Sequence, residues 1–190
     1  MRKLFSANPA RIGRFECAPV TDAVPDSLAH GTQAGLKADL IALLGKDRVL
    51  HRAIDLVRYA SDASPYRLTP QVVVLPRTTD ELVKIFRYCR EKGRHATFRA
   101  AGTSLNGQSQ SDDILIDVRR HWYGAKVEDN GRQVRARPGM ILGHVNAMLG
   151  RYGRRLGPDP ASSHACSVGG GRFSSGSSPA ALGCPPPCRW

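Results

Sequence analysis

The sequence predicts an α+β fold: a small parallel β-α-β subdomain with helices, followed by an incomplete antiparallel subdomain. Three observations carry this. QVVVLP (71–76) and HATFRA (95–100) are strand-like runs separated by an amphipathic helical pattern. A third run, ILIDVR (114–119), follows a Gly-rich loop instead of a helix. Beyond it, Asp129-Asn130-Gly131 separates two alternating segments and signals an antiparallel hairpin, because a type I′ turn needs positive φ at both central positions.

Taken in order, residues 1–35 mix Pro, Gly, Ser and charge without a period and read as a loosely ordered leader. LKADLIALLG then places Leu36, Leu40, Leu43 and Leu44 on one helical face, with Gly45 as the stop. HRAIDLVRYA extends a second helix to about residue 60, and SDASPYRLTP is a loop. QVVVLP suits a strand buried on both faces. Thr78-x-x-Glu81 is a capping box that opens a helix over TDELVKIFRYCREKG. Leu82, Ile85, Phe86 and Cys89 fall at helical spacing, and Gly93 closes the segment. A right-handed crossover through this helix makes the first two strands parallel neighbours. After the hairpin, MILGHVNAMLGRYG aligns Ile141, Leu142, Val145, Met148 and Leu149 on a helical face. RRLGPDPASSHACSVGG is irregular, and no internal repeat occurs.

Composition narrows the function classes. A hydrophobic fraction of 41% excludes a disordered chain. No apolar run reaches about 18 residues, so no transmembrane segment is expected, and cytoplasmic residence is the default. The formal net charge of +12 invites a nucleic-acid reading, but acidic residues are interleaved and aromatics make up only 6%. Solvated basic faces are the preferred reading, with no nucleic acid as partner; a basic noncatalytic nucleic-acid-binding module is the alternative. Cys17, Cys89, Cys166, Cys184 and Cys188 form no paired framework. The three prolines between Cys184 and Cys188 favour a stiff backbone unsuited to a chelate loop, and no histidine has ligand spacing, so no metal is expected.

The loop Gly102-Thr-Ser-Leu-Asn-Gly107-Gln108-Ser109 departs by one residue from the phosphate-loop signature G-x-x-x-x-G-K-[ST], with glutamine where the lysine should be. A strand follows it, not a helix. Both departures argue against gripping a nucleoside triphosphate for transfer. A pyrophosphate inside a dinucleotide fits better, held by the amides of residues 101–105 and the hydroxyls of Thr103 and Ser104. Gly157-Pro158-Asp159-Pro160 and Ser167-Val168-Gly169-Gly170 form a second small-residue stretch, with hydroxyls from Ser162, Ser163 and Ser167. Two such stretches could clamp an extended dinucleotide.

Jointly, Pro76, Thr79, Glu81 and Leu82, then Arg99 to Gln108, then Gly157 to Gly170 resemble the FAD-binding domain of the vanillyl-alcohol oxidase/p-cresol methylhydroxylase (PCMH) type. The chain is most similar to the bacterial D-lactate dehydrogenase/glycolate oxidase branch, especially members fused to an iron–sulfur domain. The resemblance implies a PCMH-type FAD-binding domain over 36–170. FAD is then contacted by Arg99, Ala100, Ala101, Gly102, Thr103, Ser104, Leu105, Gly107, Gln108 and Ser109 on one side. Pro158, Asp159, Ser163, Ser167, Val168, Gly169 and Gly170 line the other. The first loop has no His or Cys to tether flavin, so FAD is expected to be non-covalent. The family reaction is oxidation of a small 2-hydroxy acid, with D-lactate the first choice. The electron acceptor is left open, as are the catalytic residues, which in this branch lie mainly in later parts of the protein. Location in the full-length family is cytoplasmic or peripheral to the membrane. From residue 171 the sequence leaves the family pattern: GRFSSGSSPAALGCPPPCRW contains no Asp, Glu, Lys, Val or Ile. It resembles a GC-rich coding region read out of frame, so 171–190 is expected to be a frameshifted or disordered tail and the chain a fragment of doubtful activity alone.

Overall fold

In the computed structural model, residues 25–157 and 160–170 are described. Apolar residues at alternate positions of the strands build two layers on one sheet. Its strands are β1 (Val49–Leu50), β2 (Val72–Val74), β3 (Ala96–Arg99) and β4 (Ile114–Asp117), in spatial order β1-β2-β4-β3. Val72, Val74, Ile114 and Ile116 face the helices α1 (Ala34–Leu44) and α3 (Thr79–Lys92), where they meet Leu36, Leu40, Leu44, Ile85 and Cys89. Val73, Leu75 and Leu115 point the other way and meet Leu28 and Leu56, the latter from α2 (Ala53–Arg58). Each large aliphatic side chain so buried stabilises the fold by about 1.5–3 kcal/mol relative to exposure.

One topological expectation is corrected. β2 and β3 are parallel but not neighbours, because β4 lies between them and pairs with both. The reason is visible in composition. All four residues of β4 are buried, which suits a central strand, whereas β3 carries Phe98, 46% exposed, and takes the edge. The short antiparallel β1 was not anticipated.

Helix α3 begins where the capping box places it. Thr78 Oγ1 accepts from the Glu81 N–H at 3.3 Å, and Gly93 ends the helix in the left-handed region at φ 62°. The Glu81 carboxylate takes the Arg77 N–H at 2.7 Å and pairs with Arg48. Phe86, expected on the buried face, is 45% exposed and packs edge-on against Phe98. Those two rings lie over the open edge of the sheet.

The second unit is the hairpin of β5 (Ala125–Glu128) and β6 (Gln133–Ala136) with α4 (Leu142–Gly150). Its turn is the expected one: Asn130 and Gly131 both have positive φ, and the Arg132 N–H closes on the Asp129 carbonyl at 3.0 Å. Leu142, Val145, Leu149, Met140 and Leu156 form its core against Val127 and Val134. The aberrant tail expected at 171–190 and the leader up to residue 24 fall outside the described residues.

Candidate functional site

The chain leaves β3 at Arg99 and turns at once. Gly102 has φ +70° and Gly107 has φ +71°, conformations that disfavour any side chain. A Cβ on Gly102 would lie 2.7 Å from Arg99 Nη2, and one on Gly107 would lie 3.1 Å from Tyr66 Cδ2. Between these glycines the loop passes Leu105, which is 75% exposed, and it then enters β4. Among the described residues, no protein acceptor is hydrogen-bonded to the N–H groups of Gly102, Thr103, Ser104 or Leu105. Successive donors at a glycine-lined bend suit an anion.

Arg99 supports the loop from beneath. Its guanidinium donates to the carbonyls of Tyr59 (3.1 Å), Ser61 (2.8 Å) and Ser109 (3.4 Å), and it stacks over the Tyr59 ring at 5.4 Å. Burial lowers the Arg99 pKa, opposed by the charges of Asp62, Tyr59 and Asp117. Tyr59 in turn donates to Asp117 at 2.6 Å. Burial, then the Asp117 carboxylate, push the phenol well above its ordinary pKa. Tyr59 and Asp117 also line a cavity of about 390 Å³ with Arg119, Arg120 and Tyr123, at the carboxyl end of β4.

The second stretch docks differently. The Leu142 N–H bonds Cys166, the Gly143 N–H bonds Ser163, the Val168 N–H bonds Met140 and the Gly169 N–H bonds Pro138. Val168 packs on the α4 core, and a Cβ on Gly169 would meet Pro138 at 3.0 Å. Ser167 is fully buried, and its hydroxyl accepts from the Ala101 and Gly170 N–H groups, each at 3.3 Å. This one oxygen stitches the two stretches together.

The structure therefore brings Arg99 through Ser109 beside Ser167 and Gly170, with Thr103 Oγ1 3.7 Å from the position a Gly170 Cβ would take. Ser163, Val168 and Gly169 are turned toward α4 and the hairpin. Pro158 and Asp159 lie outside the described residues. Several hydroxyls and amides expected to face a ligand serve the protein itself. Ser109 donates to Asp62 at 2.8 Å, Ser167 is the stitch, and the Ala101 amide is engaged by it. Ser104 Oγ accepts from the Asn106 and Gln108 N–H groups, at 3.2 and 3.1 Å, shaping the bend. Sequence reasoning missed Tyr59, Asp62, Tyr66 and Gln110. For Asp62 a signal existed: Asp-Ala-Ser is an Asx-turn pattern, and the Ser64 N–H does donate to Asp62 at 2.9 Å.

A strand end, a glycine bend with N–H donors that meet no protein acceptor among the described residues and a second stretch docked by backbone hydrogen bonds suit a nucleotide-cofactor domain. The sequence profile of the FAD binding domain family matches residues 70–180, and the chain belongs to that family. Its cofactor is FAD. The D-2-hydroxyglutarate dehydrogenase of Pantoea ananatis is 31% identical over 120 residues, 61% of this chain and 12% of that protein. The glycolate oxidase subunit GlcD of Escherichia coli is 29% identical over 125 residues, 64% of this chain and 25% of that protein. The chain thus spans an eighth to a quarter of the length of these curated relatives. Solved structures share the fold. p-Cresol methylhydroxylase superposes with a TM-score of 0.60 at 19% identity over 76% of this chain and 30% of that one. An alkyldihydroxyacetonephosphate synthase gives 0.60 at 17% over 73% and 29%. These neighbours bear out the α+β, PCMH-type fold. The residues present fit the cofactor: the bend at Gly102 offers successive N–H groups with no protein acceptor among the described residues, the kind of donor row that suits a pyrophosphate. No helix of the described residues is long and apolar enough to cross a membrane.

Proposed function

We propose that this chain forms the FAD-holding part of a flavin-dependent oxidoreductase acting on a small 2-hydroxy acid. The observation that carries the reading is the row of N–H groups at Gly102–Leu105 with no protein acceptor among the described residues, in a chain of the FAD binding domain family. These amides, with the Thr103 hydroxyl, would hold the pyrophosphate, with Gly170 on the other side. Arg99 keeps the bend in shape from behind. Three of its five N–H donors go to protein carbonyls, and its positive charge favours an anion at the bend. When bound, the cofactor would supply the redox chemistry, a two-electron oxidation of a hydroxyl carbon to a carbonyl.

The substrate class rests on the relatives, whose names specify D-2-hydroxyglutarate and glycolate. FAD is held non-covalently: the loop 100–110 contains no nucleophilic Cys or His, and Cys166 is buried at 1% exposure with its thiol on the Ser167 carbonyl.

The test is to purify the chain, add FAD and record the visible spectrum and flavin fluorescence, then precipitate with acid. Bound flavin released into the supernatant is the expected result. A protein that stays colourless with added FAD overturns the reading. Activity is assayed with D-lactate, glycolate and D-2-hydroxyglutarate against an artificial acceptor, on this chain and on a longer one carrying the relatives' remaining length. The charge of +12 supports one competing reading, a basic nucleic-acid-binding module. A colourless protein that shifts nucleic acid with a steep salt dependence would establish it instead.

A further inference from the structure

Four adjacent N–H groups with no protein acceptor among the described residues do not hold a bend in place by themselves. Their dipoles repel, and two glycines in the bend leave the backbone free to relax. The loop therefore needs supports that do not use those donors. Two belong to the motif stretches: Arg99 beneath and Ser167 at the side. The third comes from residue 62, in a segment outside both stretches.

Asp62 is a convergence point. Its Oδ2 accepts from Ser109 Oγ at 2.8 Å, and its Oδ1 accepts from Gln110 Nε2 at 2.7 Å and from Ser64 N–H and Oγ at 2.9 and 2.5 Å. One residue on, the Ala63 N–H donates to the Gly102 carbonyl at 3.1 Å. Gln110 Nε2 also reaches the Tyr66 carbonyl at 2.7 Å and Ser64 Oγ at 3.2 Å, so three acceptors fix the orientation of its amide. Gln110 is 4% exposed, and its Oε1 is the one buried side-chain N or O atom without a partner among the described residues. Turning the amide to satisfy that oxygen would lose every Nε2 contact. The segment 61–66 is thus clipped to both ends of the anion-facing bend, at Gly102 and at Ser109–Gln110.

We propose that Asp62 is a positioning residue for the cofactor. Through Ser109 and Gln110 it holds the Gly102–Leu105 amides convergent, and it sets FAD affinity without touching FAD. The proposal rests on the reading that this loop holds the pyrophosphate. Its chemistry is that of a carboxylate behind an anion site, tolerable because four donors and the nearby Arg99 absorb its charge.

The experiment compares the 190-residue protein with Asp62→Ala, Asp62→Asn, Ser109→Ala and Gln110→Glu. FAD affinity is read by flavin fluorescence, fold stability by the thermal midpoint and loop order by amide exchange in the FAD-free protein. Losing hydrogen bonds to a charged group predicts a Kd roughly ten- to a hundredfold higher in Asp62→Ala, with faster exchange confined to 101–110. Asp62→Asn, which keeps an acceptor for Ser109, recovers part of the affinity. Gln110→Glu, placing a second carboxylate against Asp62, weakens binding as well. Equal FAD affinity and unchanged exchange in Asp62→Ala overturn the proposal, as does a loss of affinity matched by a general fall in midpoint across all four variants. If Asp62→Ala does not fold, Ser109→Ala removes one of the same bonds from the other side, and unchanged affinity there is equally fatal. Should the unaltered protein bind no FAD, the functional reading fails by itself, while exchange at 101–110 still decides whether Asp62 organises the bend.

Discussion

The two walls of the site are held in opposite ways. The second wall, 163–170, is docked by main chain: four backbone hydrogen bonds to Pro138, Met140, Leu142 and Gly143 consume its own amides and carbonyls. The first wall, 99–110, is docked largely by side chains, with Arg99, Asp62, Ser104, Gln110 and the distant Ser167 taking the strain. On the proposed reading, the difference bears on which wall suits an anion. A segment that spends its N–H groups on docking has few left for a ligand, whereas one braced by side chains keeps them available.

The strongest way to break the contrast is at Gly102. Gly102→Val puts a branched side chain at φ +70° and drives a Cβ into the Arg99 guanidinium, so both the bend and its brace are lost. Flavin titration should show at least a hundredfold weaker binding, since backbone strain and a displaced guanidinium each cost about 1–3 kcal/mol. Arg99→Met comes next: three carbonyls lose a charged donor, and urea unfolding should show stability lower by about 2 kcal/mol together with weaker FAD binding.

Ser167→Ala separates the walls without disturbing either one's own docking. The N–H groups of Ala101 and Gly170 each lose a bond to the buried Ser167 hydroxyl, for a loss of about 1–2 kcal/mol in the same unfolding measurement. Acid should discriminate between the walls more gently. Burial alone would raise the Asp62 carboxyl, but hydrogen bonds from Ser64, Ser109 and Gln110 hold it below the usual carboxylate range. A depressed folded pKa contributes stability that is present above the unfolded value and lost as pH falls through the folded one. Amide exchange followed into that acid range should open 101–110 before 163–170, whose backbone bonds do not titrate. The smallest effect is expected at Gly143→Ala, where a new Cβ meets the Ser163 carbonyl at 3.1 Å. A loss below about 1 kcal/mol, with flavin affinity unchanged, would show that the second wall positions rather than binds.

Legibility followed the range of the interactions. The capping box at Thr78, the stop at Gly93, the type I′ turn at Asn130-Gly131 and the aliphatic face of α4 are decided within a few residues, and each was readable. The glycine bend was readable for the same reason, since the need for positive φ is written in Gly102 and Gly107 themselves. Phe86 was misplaced on the buried face because helical spacing cannot tell a core from the open edge of a sheet, where Phe98 waits.

By itself, then, the sequence determined most of the helices, strands and turns, the family and the glycine bend at Gly102 and Gly107, because backbone preference and side-chain periodicity are local. The tertiary structure alone decided that β4 separates β2 from β3, since strand order depends on which strand best tolerates burial on both faces. It alone showed which of the polar residues in the two stretches are spent inside the protein. It alone brought Asp62 to Ser109 and Gln110 across 47 and 48 residues of chain. Hydrogen bonds between distant side chains leave no period in a sequence, and they become visible only when the core has placed their partners.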